Sequence, residues 1–206
     1  MSKKIQAVIF DLYNTLIYTK NQTYPYPRLF NELYLKPNDL RKARRIALTE
    51  EFNSLSELVE KIKPNARIDV KPYEDDLARE LDSIKLYSET KKVLKKLKKR
   101  GFKMGLISNL ASPYKRPFFD LGLDEYIDNT LFSCEVGLKK PNLKLYGRIL
   151  NRMHLEPKQA LMVGDNYHCD VLPPKNIGMK AILLDRFNQH DIKPNINSLE
   201  GIFQYC

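Results

Sequence analysis

The feature that most constrains the fold of this chain is a repeated alternation of short apolar segments with stretches of helical spacing. Apolar residues dominate five short segments, which lie at residues 5–10, 103–108, 130–133, 160–164 and 180–184. Segments of this length between helical patterns are typical of parallel strands in a sheet whose two faces are covered by helices. The sequence therefore predicts an α/β fold with a doubly wound parallel sheet.

Helix signals lie in the intervals between these strands. Ser88 and Ser112 are predicted to cap helices that end at Gly101 and before Gly122, and a third helix is predicted over residues 142–153. Each predicted helix joins one predicted strand to a later one. This order of elements matches the crossover connections that a parallel sheet requires.

One interval breaks the alternation. Between residues 18 and 85 no strand candidate is present, and helical patterns occupy residues 38–48, 54–63 and 72–81. We therefore predict a helical cap domain at 18–85, inserted after the first strand into a core domain formed by 1–17 and 86–206. The insertion begins with aromatic side chains that are expected to pack it onto the core, namely Tyr18, Tyr24, Tyr26, Phe30 and Tyr34.

Composition restricts the class of protein. The chain has 206 residues, 43% of them apolar, which is enough to fill the core of a globular protein. It has no apolar run of the ~20 residues that a membrane span requires, and no signal-peptide stretch follows the initial MSKK. We therefore expect a cytoplasmic protein with no membrane partner. The cysteines Cys134, Cys169 and Cys206 form neither a disulfide framework nor a zinc pattern.

The formal charge of +10 would attract anionic partners. Much of this charge lies in residues 91–100, where seven of ten residues are Lys or Arg, while Val93, Leu94 and Leu97 recur at helical spacing. This pattern favours a helix with a solvated lysine face. Nucleic acid is not an expected partner, because neither aromatic interleaving nor a nucleic-acid motif accompanies the charge.

Polar side chains stand where three of the predicted strands end. Asp11 follows the first strand, Ser108 and Asn109 stand at the end of the second, and Asp165 follows the segment LMVG. These residue types are also good helix caps, so none of them alone indicates a site. The carboxyl ends of parallel strands meet at one edge of a sheet, and Lys140 lies between these segments in the chain. Together the residues predict a ligand site at that edge.

The segments that contain these residues resemble the motifs of the haloacid dehalogenase superfamily of aspartate-nucleophile hydrolases and phosphotransferases. The segment DLYNTL, which begins at Asp11, resembles the first motif. The segment LISN, which contains Ser108, resembles the second motif, and KKP, which contains Lys140, resembles the third. VGDNYHCD, with Asp165 and Asp170, resembles the fourth motif, and the tail NINSLEGIF resembles the last helix of the family. The resemblance implies a doubly wound sheet with a mobile cap inserted after the first strand.

The resemblance also implies roles for the residues of these motifs. Asp11 would be the nucleophile and would form an aspartyl ester that water then hydrolyses. Lys140 would neutralise negative charge, while Ser108, the Asn109 amide and Thr15 would bind the phosphoryl group. The implied substrate is a small molecule that carries a negative charge.

The implied cofactor is Mg²⁺, a hard cation that prefers oxygen ligands. Its ligands would be the Asp11 carboxylate, the main-chain carbonyl of Tyr13 and Asp165, with waters completing the set. Asp170 belongs to the same metal site, where it would orient Lys140 or metal-bound waters rather than bind the ion directly.

Tyr13 departs from the pattern of the family's phosphatases, which carry a second aspartate there as acid and base. A phenol with a pKa near ~10 donates a proton but is a poor base at neutral pH, so turnover would fall by up to ~10²–10⁴-fold. A tyrosine at this position resembles the true dehalogenases of the family, which need neither that acid nor a metal. Asp165 and Asp170, in contrast, resemble the metal-binding phosphatases.

Three functions therefore stay open. The first is a Mg²⁺-dependent phosphatase or phosphotransferase on small phosphorylated metabolites, slow because of Tyr13. The second is a metal-free 2-haloacid dehalogenase, which would need an arginine from the early cap; the candidates are Arg28, Arg41, Arg44 and Arg45. The third is a binding or regulatory protein that keeps the fold and the metal but turns over poorly.

Overall fold

The strands of this protein form two sheets in its computed structural model, which describes residues 5–206. In chain order they are β1 (Ala7–Phe10), β2 (Ile17–Thr19), β3 (Ile84–Leu86), β4 (Lys103–Ser108), β5 (Asn129–Phe132), β6 (Ala160–Gly164), β7 (Lys180–Leu184) and β8 (Asn195–Ile196). Six of them form a sheet in the order β5-β4-β1-β6-β7-β8, in which every pair of neighbours is parallel. The predicted parallel sheet is confirmed, although the two-residue strand β8 was not predicted.

Helices connect the strands and fill the insertion. They are α1 (Pro25–Glu32), α2 (Pro37–Thr49), α3 (Leu55–Ile62), α4 (Lys71–Asp82), α5 (Thr90–Lys99), α6 (Arg116–Asp120), α7 (Ser133–Val136), α8 (Leu143–Met153) and α9 (Leu172–Asn176). Shorter 3₁₀ segments cover Ser112–Lys115, Pro157–Gln159 and Leu199–Gln204, and a π-helical turn covers Tyr167–Val171. The tail that resembles the last helix of the family is thus a 3₁₀ helix. None of the helices in residues 5–206 has the length and apolarity needed to span a lipid bilayer.

The central strand β1 shows why both faces of the sheet are covered. Successive side chains of a strand point to opposite faces. Val8 and Phe10 belong to one apolar cluster, which includes residues of α5 and α6, whereas Ala7 and Ile9 belong to a second cluster built on α8. All four side chains are fully buried. The doubly wound α/β arrangement is therefore confirmed, with one core on each face of the sheet.

The insertion begins and ends in a short antiparallel ribbon. Ile17 of β2 pairs with Leu86 of β3, and Thr19 pairs with Ile84. The prediction that no strand lies between residues 18 and 85 was therefore wrong. Strands of three residues are too short to show an alternating pattern, and the two partners lie at opposite ends of the insertion. The ribbon connects the helices α1 to α4 to the core.

The aromatic start of the insertion is only partly buried. It contains α1, which was not predicted, and Phe30 in this helix is 5% exposed. Tyr26 contacts Phe52 of the cap and Tyr114 of the core through its ring. Tyr24, in contrast, is 58% exposed and Tyr34 is 87% exposed. The expectation that all of these aromatic residues pack was therefore wrong for the last two.

Two predicted helix caps were also wrong. The residue before α5 is Glu89, in helical backbone conformation and without a side-chain cap, so Ser88 lies outside the capping position. Ser112 begins a 3₁₀ helix, and its hydroxyl accepts a hydrogen bond from the Phe52 N–H at 3.2 Å. The Ser112 side chain therefore contacts the cap insertion instead of its own helix. Tertiary contacts outweighed the local capping preference in this case.

Candidate active site

The candidate site lies at the carboxyl edge of the parallel sheet, where β1 stands between β4 and β6. The Asp11 N–H continues the ladder beyond β1 by donating to the Val163 carbonyl at 2.9 Å. Ser108 is the last residue of β4, and Asp165 follows directly after β6. The pairing of β1 with both neighbours fixes the backbone at Asp11. The sheet therefore brings these three strand ends together, as the sequence predicts.

Lys140 is the cation at the centre of this group. Its ammonium donates to Asp11 Oδ1 at 2.6 Å and to Asp170 Oδ1 at 2.7 Å, and the residue is only 3% exposed. The backbone of Lys140 is held by the Asn109 side chain, which accepts from its N–H at 2.7 Å and donates to its carbonyl at 2.9 Å. The Asn109 side-chain amide thus holds the Lys140 loop, and the contact of Asn109 with a phosphoryl group stays a prediction.

Asp170 reaches the site because the chain makes a π-helical turn after β6. Its second carboxylate oxygen accepts from the Asn166 N–H at 3.0 Å, and the residue is fully buried. A Cβ added to Gly164 would lie 2.4 Å from Asp170 Cγ, so a side chain there would displace the carboxylate. Glycine is therefore required at position 164 for the close approach of Asp170 to the strand end.

The charges of the cluster do not balance. Ligand oxygens of Asp11, Asp165 and Asp170 lie within 4.8 Å of one another, and Lys140 is the cation that bridges two of them. Burial raises the pKa of Asp11; Lys140 opposes this rise, while Asp170 and Asp165 add to it. Burial and the nearby Asp170 also raise the pKa of Asp165. Burial would lower the pKa of Lys140, but the two carboxylates raise it above its usual value.

The donor set fits a hard divalent cation. Three carboxylates in one cluster offer the oxygen ligands that Mg²⁺ prefers, and one ammonium leaves a net negative charge for the ion to neutralise. In the turn after Asp11, the backbone bonds of Asn14, Leu16 and Ile17 use the carbonyls of Leu12 and Ile17. Among the described residues, none donates a hydrogen bond to the Tyr13 carbonyl, which leaves that oxygen for a ligand.

The Tyr13 side chain is directed toward the cap side of the site. Its hydroxyl donates to the Tyr114 carbonyl at 3.0 Å, and the two rings meet edge to face with centroids 5.8 Å apart. Burial and the negative charge of Glu80 raise the pKa of this phenol above its usual value. The hydroxyl is therefore held as a neutral donor to a backbone carbonyl.

The other predicted residues have different surroundings. Ser108 is 1% exposed at the end of its strand, while Thr15 is fully buried and its hydroxyl has no hydrogen-bond partner in residues 5–206. Of the four candidate arginines, Arg44 lines the cleft beside Tyr13, whereas Arg28 pairs with Asp76. The contact of Thr15 with a phosphoryl group stays a prediction.

Arg186 was not found by sequence reasoning, although it holds the loop that follows Asp11. Its guanidinium donates to the Thr15 carbonyl at 2.8 Å and to Glu89 at 2.6 Å, and it stacks 3.5 Å from the ring centroid of Tyr87. The loop in turn reaches Asp165, because the Asn14 side chain donates to its carboxylate at 3.2 Å. The sequence gives no signal for Arg186, since its partners lie far away in the chain.

Comparison with known proteins agrees with this geometry. A family model described as haloacid dehalogenase-like hydrolase matches residues 5–178. A glyceraldehyde 3-phosphate phosphatase of Pyrococcus furiosus is 28% identical over 204 residues, which cover 87% of this chain and 80% of that protein. The enzyme of the same name from Methanothermobacter thermautotrophicus is 34% identical over 100 residues, which cover 48% of this chain and 44% of the relative.

Solved structures share the fold. The structure of a haloacid dehalogenase-superfamily phosphatase from Thermococcus onnurineus has a TM-score of 0.69 at 21% identity and covers 97% of each chain. A 2-haloacid dehalogenase from Pseudomonas syringae pv. Tomato has a TM-score of 0.70 at 20% identity and covers 98% of this chain and 97% of its own. Phosphatases and dehalogenases thus resemble this fold to the same degree. The family match extends over most of the chain, and the protein therefore belongs to the haloacid dehalogenase-like hydrolases.

Proposed function

We propose that this hydrolase is a Mg²⁺-dependent phosphatase or phosphotransferase that acts on small phosphorylated molecules. The observation that carries the proposal is the excess of carboxylates over cations in the cluster of buried Asp11, Asp170 and Lys140 with half-buried Asp165. A metal-free reaction gains nothing from a third carboxylate that repels the nucleophile. In a reaction that uses a divalent cation, this third carboxylate is a ligand for the ion.

Mg²⁺ would be held by Asp11, the Tyr13 carbonyl and Asp165, with Asp170 orienting Lys140 as its 2.7 Å contact suggests. When bound, the ion supplies positive charge that offsets the charge of a phosphoryl group beside a carboxylate nucleophile. Gly164 supports this arrangement, because it lets the buried carboxylate of Asp170 approach the end of β6, next to Asp165.

The chain's own residues would carry out the substitution in two steps. A carboxylate oxygen of Asp11 would attack phosphorus, the phosphorus–oxygen ester bond would break, and the electron pair would leave with the alkoxide oxygen, which takes up a proton from water. Water then attacks the aspartyl phosphate, which releases inorganic phosphate and restores Asp11. Lys140 and the N–H of Asn109 would stabilise the phosphoryl oxygens, and Ser108 would position them. In a phosphotransferase, a second alcohol replaces the water.

The surroundings of Tyr13 favour slow rather than fast hydrolysis of phosphate esters. Its hydroxyl already donates to the Tyr114 carbonyl, and its raised pKa keeps the phenol protonated, so it cannot accept a proton from the hydrolytic water. Tyr13 itself offers no carboxylate at this position, and the nearby Glu80 accepts hydrogen bonds within the protein. Esters with good leaving groups, which depart without a proton, should therefore react faster than alkyl esters.

Replacement of Tyr13 tests this point. Tyr13→Asp introduces a proton shuttle, so turnover of alkyl phosphates should rise by up to about 10²-fold, with a smaller gain for 4-nitrophenyl phosphate. The matched control is Tyr13→Phe, which removes the hydroxyl and adds no carboxylate. Steady-state rates of phosphate release measure the effect. Equal rates for Tyr13→Asp and Tyr13→Phe on alkyl phosphates would show that a missing shuttle does not limit turnover.

The names of the relatives support the phosphatase assignment, since several archaeal proteins that match this chain are called glyceraldehyde 3-phosphate phosphatases. The assay that tests the function compares 4-nitrophenyl phosphate with 2-chloropropionate, each in the presence of Mg²⁺ and of EDTA. We expect phosphate release that requires Mg²⁺ and is lost in Asp11→Asn. Halide release in EDTA would support the dehalogenase instead, and no turnover of either compound would favour a binding or regulatory protein.

A further inference from the structure

A cleft of about 490 Å³ lies between the cap and the core, beside the candidate catalytic loop. The core contributes Tyr13, Asn109 and Tyr114 to its lining, and the cap contributes residues of α1 and α2 such as Phe30 and Leu48. Tyr13 is two residues from Asp11 in the chain, and Asn109 holds the backbone of Lys140. A phosphoryl group at the nucleophile would therefore have the rest of its molecule in this cleft.

One wall of the cleft is an aromatic cluster. The ring centroids of Tyr13 and Tyr114 lie 5.8 Å apart, those of Tyr26 and Tyr114 lie 5.9 Å apart, and those of Tyr26 and Phe30 lie 6.2 Å apart. Apolar side chains extend the lining on both sides, namely Pro25, Pro27, Leu40, Ala47, Leu48, Leu110 and Ala111. Such a surface favours an apolar ligand that contributes a ring of its own.

Two polar side chains of the cleft, Glu80 and Asn109, are engaged within the protein, and Arg44 adds a cation to the lining on the cap side. Glu80 accepts from the Tyr114 hydroxyl at 2.6 Å and from the N–H groups of Thr23 and Tyr24 at 2.7 and 3.0 Å. The Asn109 side-chain amide is occupied by the Lys140 backbone. A hydroxyl-rich leaving group placed against the aromatic wall, beside Glu80 and Asn109, would lose hydrogen bonds with water and recover few of them there, which costs binding free energy.

We infer that the substrates of this enzyme carry an apolar leaving group with a single aromatic ring, which binds in the cleft against the wall formed by Tyr13, Tyr26, Phe30 and Tyr114. The inference rests on the proposed function, since it concerns the group from which the phosphoryl is removed. A volume of about 490 Å³ accommodates such a monoester. The expected substrate thus differs from the small polar sugar phosphate named for the archaeal relatives.

The preference is tested with esters of alcohols of similar acidity. Benzyl phosphate, cyclohexylmethyl phosphate and glycerol 3-phosphate are compared by kcat/KM at saturating Mg²⁺, with 4-nitrophenyl phosphate as the reference. We expect benzyl phosphate to exceed glycerol 3-phosphate by about tenfold, and the cyclohexyl ester to lie between them. A higher kcat/KM for glycerol 3-phosphate than for benzyl phosphate would overturn the inference while the phosphatase assignment stands.

Two exposed tyrosines of the cap provide a matched pair of variants. Tyr24 lines the cleft at 58% exposure with φ 55°, whereas Tyr34 does not line it and is 87% exposed with φ 48°. Asparagine tolerates this left-handed conformation, so Tyr24→Asn and Tyr34→Asn remove the phenol side chain without straining the backbone. Tyr24→Asn also removes the hydroxyl that donates to the Gln22 side chain. We expect Tyr24→Asn to lower kcat/KM for benzyl phosphate about threefold and to spare glycerol 3-phosphate. Equal effects of the two variants would contradict the inference.

A binding measurement tests the ligand preference of the cleft independently of catalytic turnover. Calorimetry with Mg²⁺ present compares benzylphosphonate with 2-hydroxyethylphosphonate, neither of which can be hydrolysed as an ester. We expect benzylphosphonate to bind about tenfold more tightly, and Tyr24→Asn to reduce that ratio. Equal affinities would overturn the inference. Absence of phosphate release from every ester, 4-nitrophenyl phosphate included, would instead contradict the proposed function.

Discussion

Two of the buried acid sites in residues 5–206 differ in how their charge is satisfied. Around Glu80, a single carboxylate accepts hydrogen bonds from the Tyr114 hydroxyl, the Thr23 hydroxyl and two backbone N–H groups, at distances of 2.6 to 3.1 Å. Around Asp11, three carboxylates lie together and one lysine bridges two of them. The protein itself supplies the hydrogen-bond donors for the Glu80 carboxylate. The Asp11 cluster, in contrast, keeps a net negative charge that the described residues do not neutralise.

This difference separates a structural acid from a functional one. A buried carboxylate that accepts several hydrogen bonds joins the elements that supply them, and Glu80 of α4 in this way connects the cap to the core at Tyr114. A buried group of like charges costs free energy that only a ligand can recover, which is typical of metal and catalytic sites. Burial alone does not distinguish the two, because Asp11 and Glu80 are each 7% exposed.

The largest effect should come from Lys140→Met, which breaks the only bridge between Asp11 and Asp170 in the described part of the chain. Loss of one partner from a buried ion pair should lower the metal-free free energy of unfolding by about 3–5 kcal/mol and abolish turnover. Urea unfolding with EDTA measures the first effect. The neighbouring Lys139→Met is the control, with an expected change within about 0.5 kcal/mol. Similar losses for both variants would argue against a special role for the Lys140 bridge.

A smaller effect is expected from Glu80→Gln, which removes the charge and keeps the shape of the side chain. Its charge-assisted hydrogen bonds would weaken, so the free energy of unfolding should fall by about 1–3 kcal/mol. The affinity for Mg²⁺ should not change, because Glu80 serves the structure and not the metal. Asp82→Asn, at an exposed ion pair with Arg116, should cost less than about 1 kcal/mol. A large change in Mg²⁺ affinity in Glu80→Gln would show that the Glu80 site and the Asp11 site are coupled, which contradicts this distinction.

The smallest effect is expected at Tyr26, whose buried hydroxyl has no hydrogen-bond partner within residues 5–206. Tyr26→Phe removes an unsatisfied group, so stability should be unchanged or rise by up to about 1 kcal/mol. Tyr114→Phe removes a hydroxyl that Glu80 accepts at 2.6 Å and should cost about 1–2 kcal/mol. Thermal unfolding of the two variants gives the comparison. A loss for Tyr26→Phe as large as that for Tyr114→Phe would show that the Tyr26 hydroxyl has a partner such as ordered water.

The core could be predicted because its signals are local. Apolar runs marked β1, β4 and β6, and Asp11 and Asp165 stand directly after two of these strands. The carboxyl ends of parallel strands lie at one edge of a sheet, so the meeting of these residues could be predicted without knowledge of side-chain contacts. The predicted helices of the insertion also agree with α2, α3 and α4 within about two residues at each end, as is usual for helix boundaries.

The features that sequence reasoning missed depend on contacts between distant segments. The ribbon of β2 and β3 joins residues at the two ends of the insertion, and each strand alone is too short to produce a pattern. Arg186 and Glu80 look like ordinary surface charges in the sequence, and their burial depends on partners from other elements. Specific tertiary hydrogen bonds of this kind leave no periodic signal in the chain.

The central claim, that the unbalanced charge at Asp11 is a Mg²⁺ site, is tested most directly by unfolding with and without the ion at constant ionic strength. Free Mg²⁺ at a hundredfold excess over its dissociation constant should stabilise the parent by about 2.7 kcal/mol. Asp165→Asn should lose this response and be at least as stable as the parent in EDTA, because repulsion with Asp11 is relieved. The exposed Asp124→Asn should respond like the parent. An equal response of the parent and Asp165→Asn to Mg²⁺ would contradict the account.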